Sequence, residues 1–294
     1  MTQIPYKIRN GASALRGLQH WLSVHVLRRH FFFAHIRQIG LRFKVPSNTI
    51  FSWHLAKYQS FEAENTNALL SILNSNSGGI FVDVGANFGW YTCLFSKLAG
   101  DTGLVYAIEP DESNLSLLRE NIESNCLRNV TIWPHAVSSE EGELPLHKAP
   151  ATNPGMHSFI TQKHTPGRHD DQQVKVTTLD TLMADITAPI EVLKIDIEGF
   201  EINAMRGASE TLRRCKHLVI EYSPGFLRAA GQSPQEFFSL ILEAGLEIFT
   251  IVDRQLQPVS ADNIKGLLDR DQSEYYWQRD FICSRRSTQL PRKC

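Results

Sequence analysis

From residue 80 onwards, short apolar runs alternate with longer stretches of helical pattern, and this alternation limits the fold more than any other feature of the chain. Apolar runs of about four to eight residues are typical of buried strands. Strands that alternate with helices form a mainly parallel, doubly wound sheet, because each helix returns the chain across one face of the sheet. Strands are predicted at 80–85, 103–110, 129–138, 191–196 and 216–223, with two more near the C-terminus, and helices at 90–99, 111–125, 200–214 and 233–245.

The front of the chain differs in charge from the rest. Residues 1–61 contain nine Lys and Arg residues and no Asp or Glu, which leaves 21 basic and 31 acidic residues in the remainder. A basic, acid-free segment favours an anionic partner, and we expect residues 1–45 either to contact an anionic membrane surface or to pack as a lid on the sheet. We expect no nucleic-acid partner, because the body of the chain is acidic.

Helical patterns over 14–40 and 61–74 precede the alternating part of the chain. They predict a helical N-terminal extension. The predicted domain organisation is a basic helical extension or lid over 1–76, an α/β domain over 77–285 and a tail over 286–294.

The cysteine pattern and the hydropathy of the chain indicate in which cellular compartment the protein is expected. Five cysteines are scattered along the chain without a C-x-x-C pair, which fits a reducing compartment. No apolar run approaches the ~20 residues that span a bilayer. The sequence therefore predicts a cytoplasmic protein, with peripheral association with a membrane as the alternative.

A glycine-rich loop, FVDVGANFGWY, follows the first predicted strand. Gly85 and Gly89 allow a sharp turn and a close approach to a ligand at the carboxyl end of a parallel strand. The loop lacks the glycine pattern of dinucleotide sites and the Lys-Ser/Thr of phosphate loops, which indicates a ligand without phosphates. Asp83 suits an ammonium group, and Glu109 at the end of the second strand suits ribose hydroxyls. S-adenosylmethionine combines these features; the alternative is that the glycines serve only the turn.

The stretch VLKIDIEGFE places acids at the end of the fourth predicted strand, and Glu221 ends the fifth. Neighbouring parallel strands end side by side, so Asp196, Glu198 and Glu221 are predicted to converge. One of them could act as a general base whose pKa is raised by its like-charged neighbours. In the alternative interpretation, Asp196 and Glu221 hold a divalent metal ion. Lys194 needs a carboxylate partner in its apolar strand, and either a catalytic or a structural role fits it.

Residues 140–174 break the alternation and are rich in Pro, Gly, His, Ser and Thr. A long irregular segment inside a compact domain is usually functional or mobile. Its histidines 157, 164 and 169 are candidate bases, although solvated loop histidines are more common.

Several blocks together resemble the FkbM family of S-adenosylmethionine-dependent methyltransferases. They are FVDVGANFGWYT, VYAIEPDESNLSLLRENIESN, HAVS, LKIDIEGFEINAMRGASETL and LVIEYSP, within residues 61–283. The resemblance implies a Rossmann-like class I methyltransferase fold with a seven-stranded, mainly parallel sheet and an antiparallel C-terminal strand. It implies S-adenosylmethionine contacts at Asp83, Gly85, Ala86, Asn87, Gly89, Tyr91, Glu109 and Asn114, with Ala136 and Val137 near the adenine and Asp196 closing the methionine side.

The resemblance also implies O-methylation of a hydroxyl on a sugar, glycolipid or related natural product. A hydroxyl is a poor nucleophile, so a base or a metal ion is expected beside it. The residues predicted to act on the acceptor are Lys194, Asp196, Glu198 and Glu221. A nucleic-acid methyltransferase and a non-catalytic module that binds the cofactor are the alternative functions.

Overall fold

The computed structural model describes residues 14–73, 78–148, 159, 171–270 and 277–285, and the described residues form three β-sheets with helices around them. The strands are β1 Phe31–Ile36, β2 Leu41–Pro46, β3 Ile80–Val84, β4 Leu104–Ile108, β5 Val130–Trp133, β6 Ala136–Val137, β7 Gly142–His147, β8 Asp171–Thr177, β9 Ile190–Ile195, β10 Cys215–Tyr222, β11 Leu246–Val252, β12 Gln255–Pro258 and β13 Arg279–Arg285.

The helices lie between these strands, mostly as crossovers. They are α1 Ala14–Trp21, α2 Ile50–Tyr58, α3 Ala63–Ile72, α4 Trp90–Ala99, α5 Glu112–Ser124, α6 Leu179–Leu182, α7 Glu201–Arg206, α8 Ser209–Arg214, α9 Pro224–Ala229, α10 Pro234–Glu243 and α11 Ala261–Arg270. Within the described ranges, no helix has the length and hydropathy that crossing a bilayer requires.

The central sheet confirms the predicted α/β class. Its eight strands lie in the order β12-β11-β13-β10-β9-β3-β4-β5. The neighbours from β10 to β5 are parallel, and β13 runs antiparallel between β10 and β11. The antiparallel C-terminal strand is therefore present, and the short β12 adds an eighth strand at the edge.

Successive residues of the central strands point to two different cores. Phe81, Val192 and Val219 pack on one side with α4 and the N-terminal region. Their chain neighbours, such as Val82 and Leu193, pack on the other side with α7, α8 and α10. Because a strand alternates its side chains, burial on both faces requires continuous apolar runs, and these runs are what the sequence shows.

The helix predicted over 14–40 is wrong beyond its first part. After α1 a π-helical turn spans Leu22–Val26, and β1 and β2 then form an antiparallel hairpin. Ala34 and Ile36 on β1 are buried, whereas Phe33 and His35 are exposed, so burial follows the two-residue period of a strand. The aromatic residues of this segment favour strand, and packing on the body of the protein selects it.

Two asparagine side chains, Asn121 on α5 and Asn125 at the C-cap of that helix, hold the edge of β2. The Asn121 Oδ1 accepts from the Lys44 N–H at 2.7 Å, and its Nδ2 donates to the Lys44 carbonyl at 3.1 Å and to the Phe88 carbonyl at 2.8 Å. One helical turn later, the Asn125 side chain makes the corresponding two bonds to Arg42, at 2.8 and 2.7 Å. Residues four apart lie on the same face of a helix, and residues two apart lie on the same face of a strand, so Asn121 and Asn125 can bond Lys44 and Arg42 in the same way.

The segment 140–174 is not irregular throughout. Its ends form β7 and β8, which join β6 in a small sheet of order β6-β8-β7. Its three histidines, and the predicted domain boundaries at 76/77 and 285/286, lie outside the described residues, so those predictions stay open.

We predict that Asn121→Ala lowers the free energy of unfolding by about 2–3 kcal/mol, because it leaves the buried Phe88 carbonyl and the partly buried backbone groups of Lys44 without these partners. The matched control is Asn125→Ala, whose bonds are more exposed to solvent, with an expected loss of about 1 kcal/mol. Urea unfolding of both variants measures the difference. Equal losses would contradict the role given to Asn121.

Candidate functional site

The glycine loop brings the ends of three strands together. Gly85 has a φ of 81°, and a Cβ on it would lie 2.0 Å from the Asp196 carbonyl oxygen. Only glycine fits both constraints. The N–H groups of Gly85 and Ala86 donate to the Ile108 carbonyl at 2.9 and 3.0 Å, which joins the loop to the end of β4.

Glu109 is fixed at the end of β4 by three donors. Its Oε2 accepts from the Asn87 N–H at 2.8 Å, and its Oε1 accepts from the Asp111 N–H at 2.9 Å and the Asn114 Nδ2 at 3.3 Å. Burial raises the pKa of Glu109 to about 7, despite these bonds to its charged form. The Glu109 carboxylate lines the cleft and keeps unused acceptor capacity for a ligand hydroxyl.

Asp83 offers an acceptor without a partner. The side chain is 1% exposed, its Oδ2 accepts from the Thr92 hydroxyl at 2.6 Å, and its Oδ1 is buried with no partner among the described residues. Burial raises the pKa of Asp83, and the nearby Lys194 ammonium opposes this. An unpaired buried acceptor is costly, and a ligand ammonium would satisfy it.

Lys194 is the only lysine or arginine among the described residues that line the cleft. Its Nζ lies 2.8 Å from the Asp196 Oδ2 and 4.8 Å from the centre of the Tyr91 ring. Burial lowers the pKa of Lys194, but attraction to Asp196, Asp83 and Glu62 outweighs it and raises that pKa. Lys194 is therefore a fixed cation held among acids.

The segment before the α/β body contributes a partly buried acid, Glu62, to this arrangement. The Glu62 Oε2 accepts from the Tyr91 hydroxyl at 2.7 Å, and Glu62 lines the cleft. Asn65 on α3 donates to the Asp280 Oδ2 on β13, so two elements that are distant in sequence close one side of the cleft. Burial raises the pKa of Glu62 and, to about 8, that of Asp280, and repulsion among the acids adds to both shifts.

The three carboxylates predicted to converge do so. Asp196, Glu198 and Glu221 each offer an oxygen within 4.8 Å of the others, and all three are partly exposed. Burial, followed by mutual repulsion, raises the pKa values of Glu198 and Glu221 well above their usual range. The Gln278 Nε2 bridges Glu198 and Glu221 at 3.4 and 3.3 Å.

The turn that presents this cluster is held by the neighbouring acid. Glu198 has a φ of 53°, in the left-handed region. The Glu201 Oε1 accepts from the N–H groups of Ile197 and Gly199, both at 3.1 Å. Burial raises the pKa of Glu201 to about 7. Glu201 thus acts on the backbone of the loop, and it is not among the residues that line the cleft.

The cleft collects most of the residues predicted from the sequence. The predicted residues that line it are Asp83, Gly85, Ala86, Asn87, Tyr91, Glu109, Asn114, Lys194, Asp196, Glu198 and Glu221. Gly89 instead begins α4 with a φ of 94°. Ala136 and Val137 are buried in β6 outside the lining, and their contact with adenine stays a prediction.

The sequence reasoning missed four polar residues around the cleft, namely Glu62, Asn65, Gln278 and Asp280. Glu62 had a signal, because it is the first acid after 61 residues without one. No sequence signal marked the other three residues, Asn65, Gln278 and Asp280, because their positions depend on the tertiary contact between α3 and the β13 region.

The donor set fits S-adenosylmethionine. The unpaired Asp83 Oδ1 matches an ammonium, and Glu109 has acceptor capacity for ribose hydroxyls. The acid-rich lining favours a cation, and S-adenosylmethionine carries a sulfonium. The oxygens of Asp196, Glu198 and Glu221 are also of the type that Mg²⁺ or Ca²⁺ prefers.

Comparison with known proteins places this sequence in a family. Hexuronic acid methyltransferase AglP of Haloferax volcanii is 26% identical over 165 residues, 56% of this chain and 62% of AglP. The solved methyltransferase FkbM from Methylobacillus flagellatus is 16% identical, with a TM-score of 0.43, over 95% of this chain and 62% of that one. A Streptococcus mutans methyltransferase solved with SAH is 14% identical, with a TM-score of 0.41, over 76% of this chain and 94% of that one.

This chain therefore spans less than two thirds of AglP and of the Methylobacillus chain. The model of the methyltransferase FkbM domain matches residues 83–248, which is more than half of the sequence. This match includes the glycine loop from Asp83 onwards, the end of β4 and the carboxylate turn after β9. The chain belongs to the FkbM methyltransferase domain family.

Proposed function

We propose that this protein transfers a methyl group from S-adenosylmethionine to a hydroxyl oxygen of a sugar-bearing acceptor. The observation that carries the proposal is the cluster of Asp196, Glu198 and Glu221, which opens into the same cleft as the glycine loop and Glu109. The name of its relative AglP, a hexuronic acid methyltransferase, supports a sugar acceptor.

When bound, S-adenosylmethionine supplies an electrophilic methyl group on a positively charged sulfur. Asp83 would accept from the ammonium of this cofactor, and Glu109 from its ribose hydroxyls. These two carboxylates lie at the ends of adjacent parallel strands, β3 and β4, so they would fix the cofactor at two points. Fixing both reactants in line is the main contribution that such a site makes to the rate.

The carboxylate cluster would receive the acceptor hydroxyl. A carboxylate oxygen of the cluster would take the hydroxyl proton while the hydroxyl oxygen receives the methyl group, the methyl–sulfur bond breaks and S-adenosylhomocysteine leaves. The raised pKa values of Glu198 and Glu221 make their ionised forms stronger proton acceptors than ordinary glutamates. Lys194 holds Asp196 in place through their 2.8 Å ion pair.

The same oxygens could hold a divalent cation, and this is the second form of the proposal. Asp196, Glu198 and Glu221 would be its ligands, and the ion would lower the pKa of the acceptor hydroxyl. Dialysis against EDTA separates the two forms. Activity that is lost and then restored by Mg²⁺ assigns a metal ion, and unchanged activity assigns a base.

We predict that Asp196→Asn reduces turnover by about 10²–10⁴-fold, because it removes a charged member of the cluster. We expect SAH affinity to change by less than about tenfold, since Asp83 and Glu109 remain. Radiolabelled methyl transfer into cell extract measures turnover, and calorimetry measures SAH binding. The control is Glu210→Gln, which removes an exposed carboxylate that does not line the cleft. Full turnover in Asp196→Asn would contradict both forms of the proposal.

We predict that cofactor binding weakens as the pH falls below 7. Glu109 has a pKa of about 7, and its ionised form is the one that accepts from ribose hydroxyls. Protonation therefore competes with binding, and the Kd for SAH should rise by up to about tenfold for each pH unit below the pKa. Titrations between pH 5.5 and 8.5 test this. In Glu109→Gln we expect weaker SAH binding whose Kd depends less on pH. If the Kd of this variant changed with pH as steeply as that of the wild type, a group other than Glu109 would cause the effect.

We predict that Glu221→Gln makes the ligand-free protein more stable by about 1 kcal/mol, while it lowers turnover. The folded pKa of Glu221 lies above its unfolded value, so its contribution to stability is present at low pH and is lost as the pH rises through the folded pKa. Glutamine has no such dependence, so the gain should grow from pH 6 to pH 9. Thermal unfolding across that range measures it, and a loss of stability at pH 9 would contradict the prediction.

A further inference from the structure

The apolar side of α1 and of the π-helical turn after it faces outwards. Leu15, Leu18, Leu22 and Val26 are 66%, 53%, 39% and 59% exposed. Their spacing puts them on one helical face. The buried residue of α1 is His20, at 7% exposure, so the usual arrangement of a surface helix is reversed.

Polar contacts on the opposite side hold the helix in this orientation. The His20 Nε2 lies 2.9 Å from the Ser52 Oγ, and the Arg16 side chain donates to the carbonyls of Ala56 and Lys57, both at 3.2 Å. Turning the apolar face inwards would break these contacts with α2. The exposure of the leucines is therefore a stable property of the fold.

The exposed apolar surface continues along the chain. Trp21 and Leu27 are 50% and 59% exposed, and on β1 the outward side chains Phe31 and Phe33 are 39% and 70% exposed. We call these eight residues, Leu15, Leu18, Trp21, Leu22, Val26, Leu27, Phe31 and Phe33, the N-terminal apolar face. So many large apolar side chains on adjoining elements are uncommon on a surface that meets only water.

Basic residues accompany the N-terminal apolar face, and Glu120, an acid close to Phe31, is paired with Lys44 at 2.6 Å. Arg28, Arg29, Arg37 and Arg42 are exposed, and residues 14–61 contain no Asp or Glu. Aliphatic and aromatic side chains that can enter the acyl boundary, next to arginines that can pair with lipid phosphates, are typical of a membrane-surface element. A second copy would bring two basic surfaces together, and like charge opposes that contact.

We propose that the N-terminal apolar face binds the surface of an anionic lipid bilayer. The protein would lie on the membrane through α1, the π-helical turn and the outer side of β1. Arginines at the rim would contact lipid headgroups, and the leucines, Trp21 and the two phenylalanines would enter the acyl boundary.

This surface adjoins the cleft through α2. Ile50 on α2 is 46% exposed and lines the cleft, together with Phe51 and His54 of the same helix. The opposite side of α1 packs against α2 through Gly17 and Trp53. An acceptor carried by a membrane lipid would therefore lie within reach of the cleft, and this extension rests on the proposed function.

Vesicle co-sedimentation of the full chain tests the surface without requiring turnover. We expect binding to phosphatidylcholine vesicles that contain ~30% phosphatidylglycerol, and loss of binding without the anionic lipid or in ~0.5 M salt. Leu18→Gln should lower the partition coefficient about tenfold. The double change Arg28→Gln with Arg29→Gln should lower it about 20-fold.

Matched controls lie on the body of the protein. The side chain of Leu242 is 51% exposed, a fraction similar to the 53% of Leu18. Leu242→Gln should therefore bind vesicles as the wild type does. Arg213→Gln removes an exposed arginine from α8 and should also leave binding unchanged. An SAH affinity equal to that of the wild type shows that each variant is folded.

Three results would overturn the proposal. The first is wild-type protein that stays in the supernatant. The second is an equal loss of vesicle binding in Leu18→Gln and Leu242→Gln. The third is wild-type protein that does not bind vesicles but is a dimer in sedimentation velocity, which Leu18→Gln alone converts to a monomer. The last would assign the face to a second copy of the chain. If the protein binds vesicles but transfers no methyl group, the proposed function is refuted and the proposal that the N-terminal apolar face binds membranes still stands.

Discussion

The ion pair between Lys194 and Asp196 is the interaction on which the cleft depends. Asp83 is opposite Lys194 in the register of β3 and β9, and Glu62 approaches from the preceding segment, so one ammonium serves the buried Asp83 and two partly buried acids, Asp196 and Glu62. A buried carboxylate without such a cation is costly. Removing the Lys194 charge would take away the attraction that opposes the raised pKa values of Asp83 and Glu62.

The acid excess that remains is a feature of the ligand-free protein. Burial and repulsion raise the pKa values of Glu62, Glu198, Glu221 and Asp280, which means that the fold keeps these groups where their ionised forms are unfavourable. A cationic ligand relieves this, because it binds where negative charge is already gathered. Groups with such perturbed pKa values are frequent at functional sites, where residues are often not those that would be most stabilising.

The N-terminal segment has one side packed on the body of the protein and another side exposed to solvent. Its hairpin buries Ile36, Leu41 and Phe43 in the same core as Phe81 and Trp90, and the asparagines of α5 complete its edge. Its outer side, in contrast, leaves large apolar groups in solvent. One segment therefore helps to close the cleft on one side and presents a separate surface on the other.

The sequence by itself determined the central sheet, the glycine loop and the acids at the strand ends. These features depend on local pattern: continuous apolar runs for buried strands, glycine where the backbone must approach closely, and polar residues where parallel strands end. Asp83, Glu109, Asp196 and Glu221 could all be placed on that basis, because parallel strands bring their carboxyl ends to one edge.

Only the tertiary structure decided the rest. The segment after α1 is a hairpin because packing against α4 and α5 outweighs its weak helical pattern, as tertiary contacts often outweigh local propensity. Glu62, Asn65 and Asp280 join the site because α3 packs next to β13, more than 200 residues away in sequence. The helical spacing of the leucines of α1 left open whether they pack as a lid on the sheet or face outwards, and the polar contacts of His20 and Arg16 with α2 turn them to the outside.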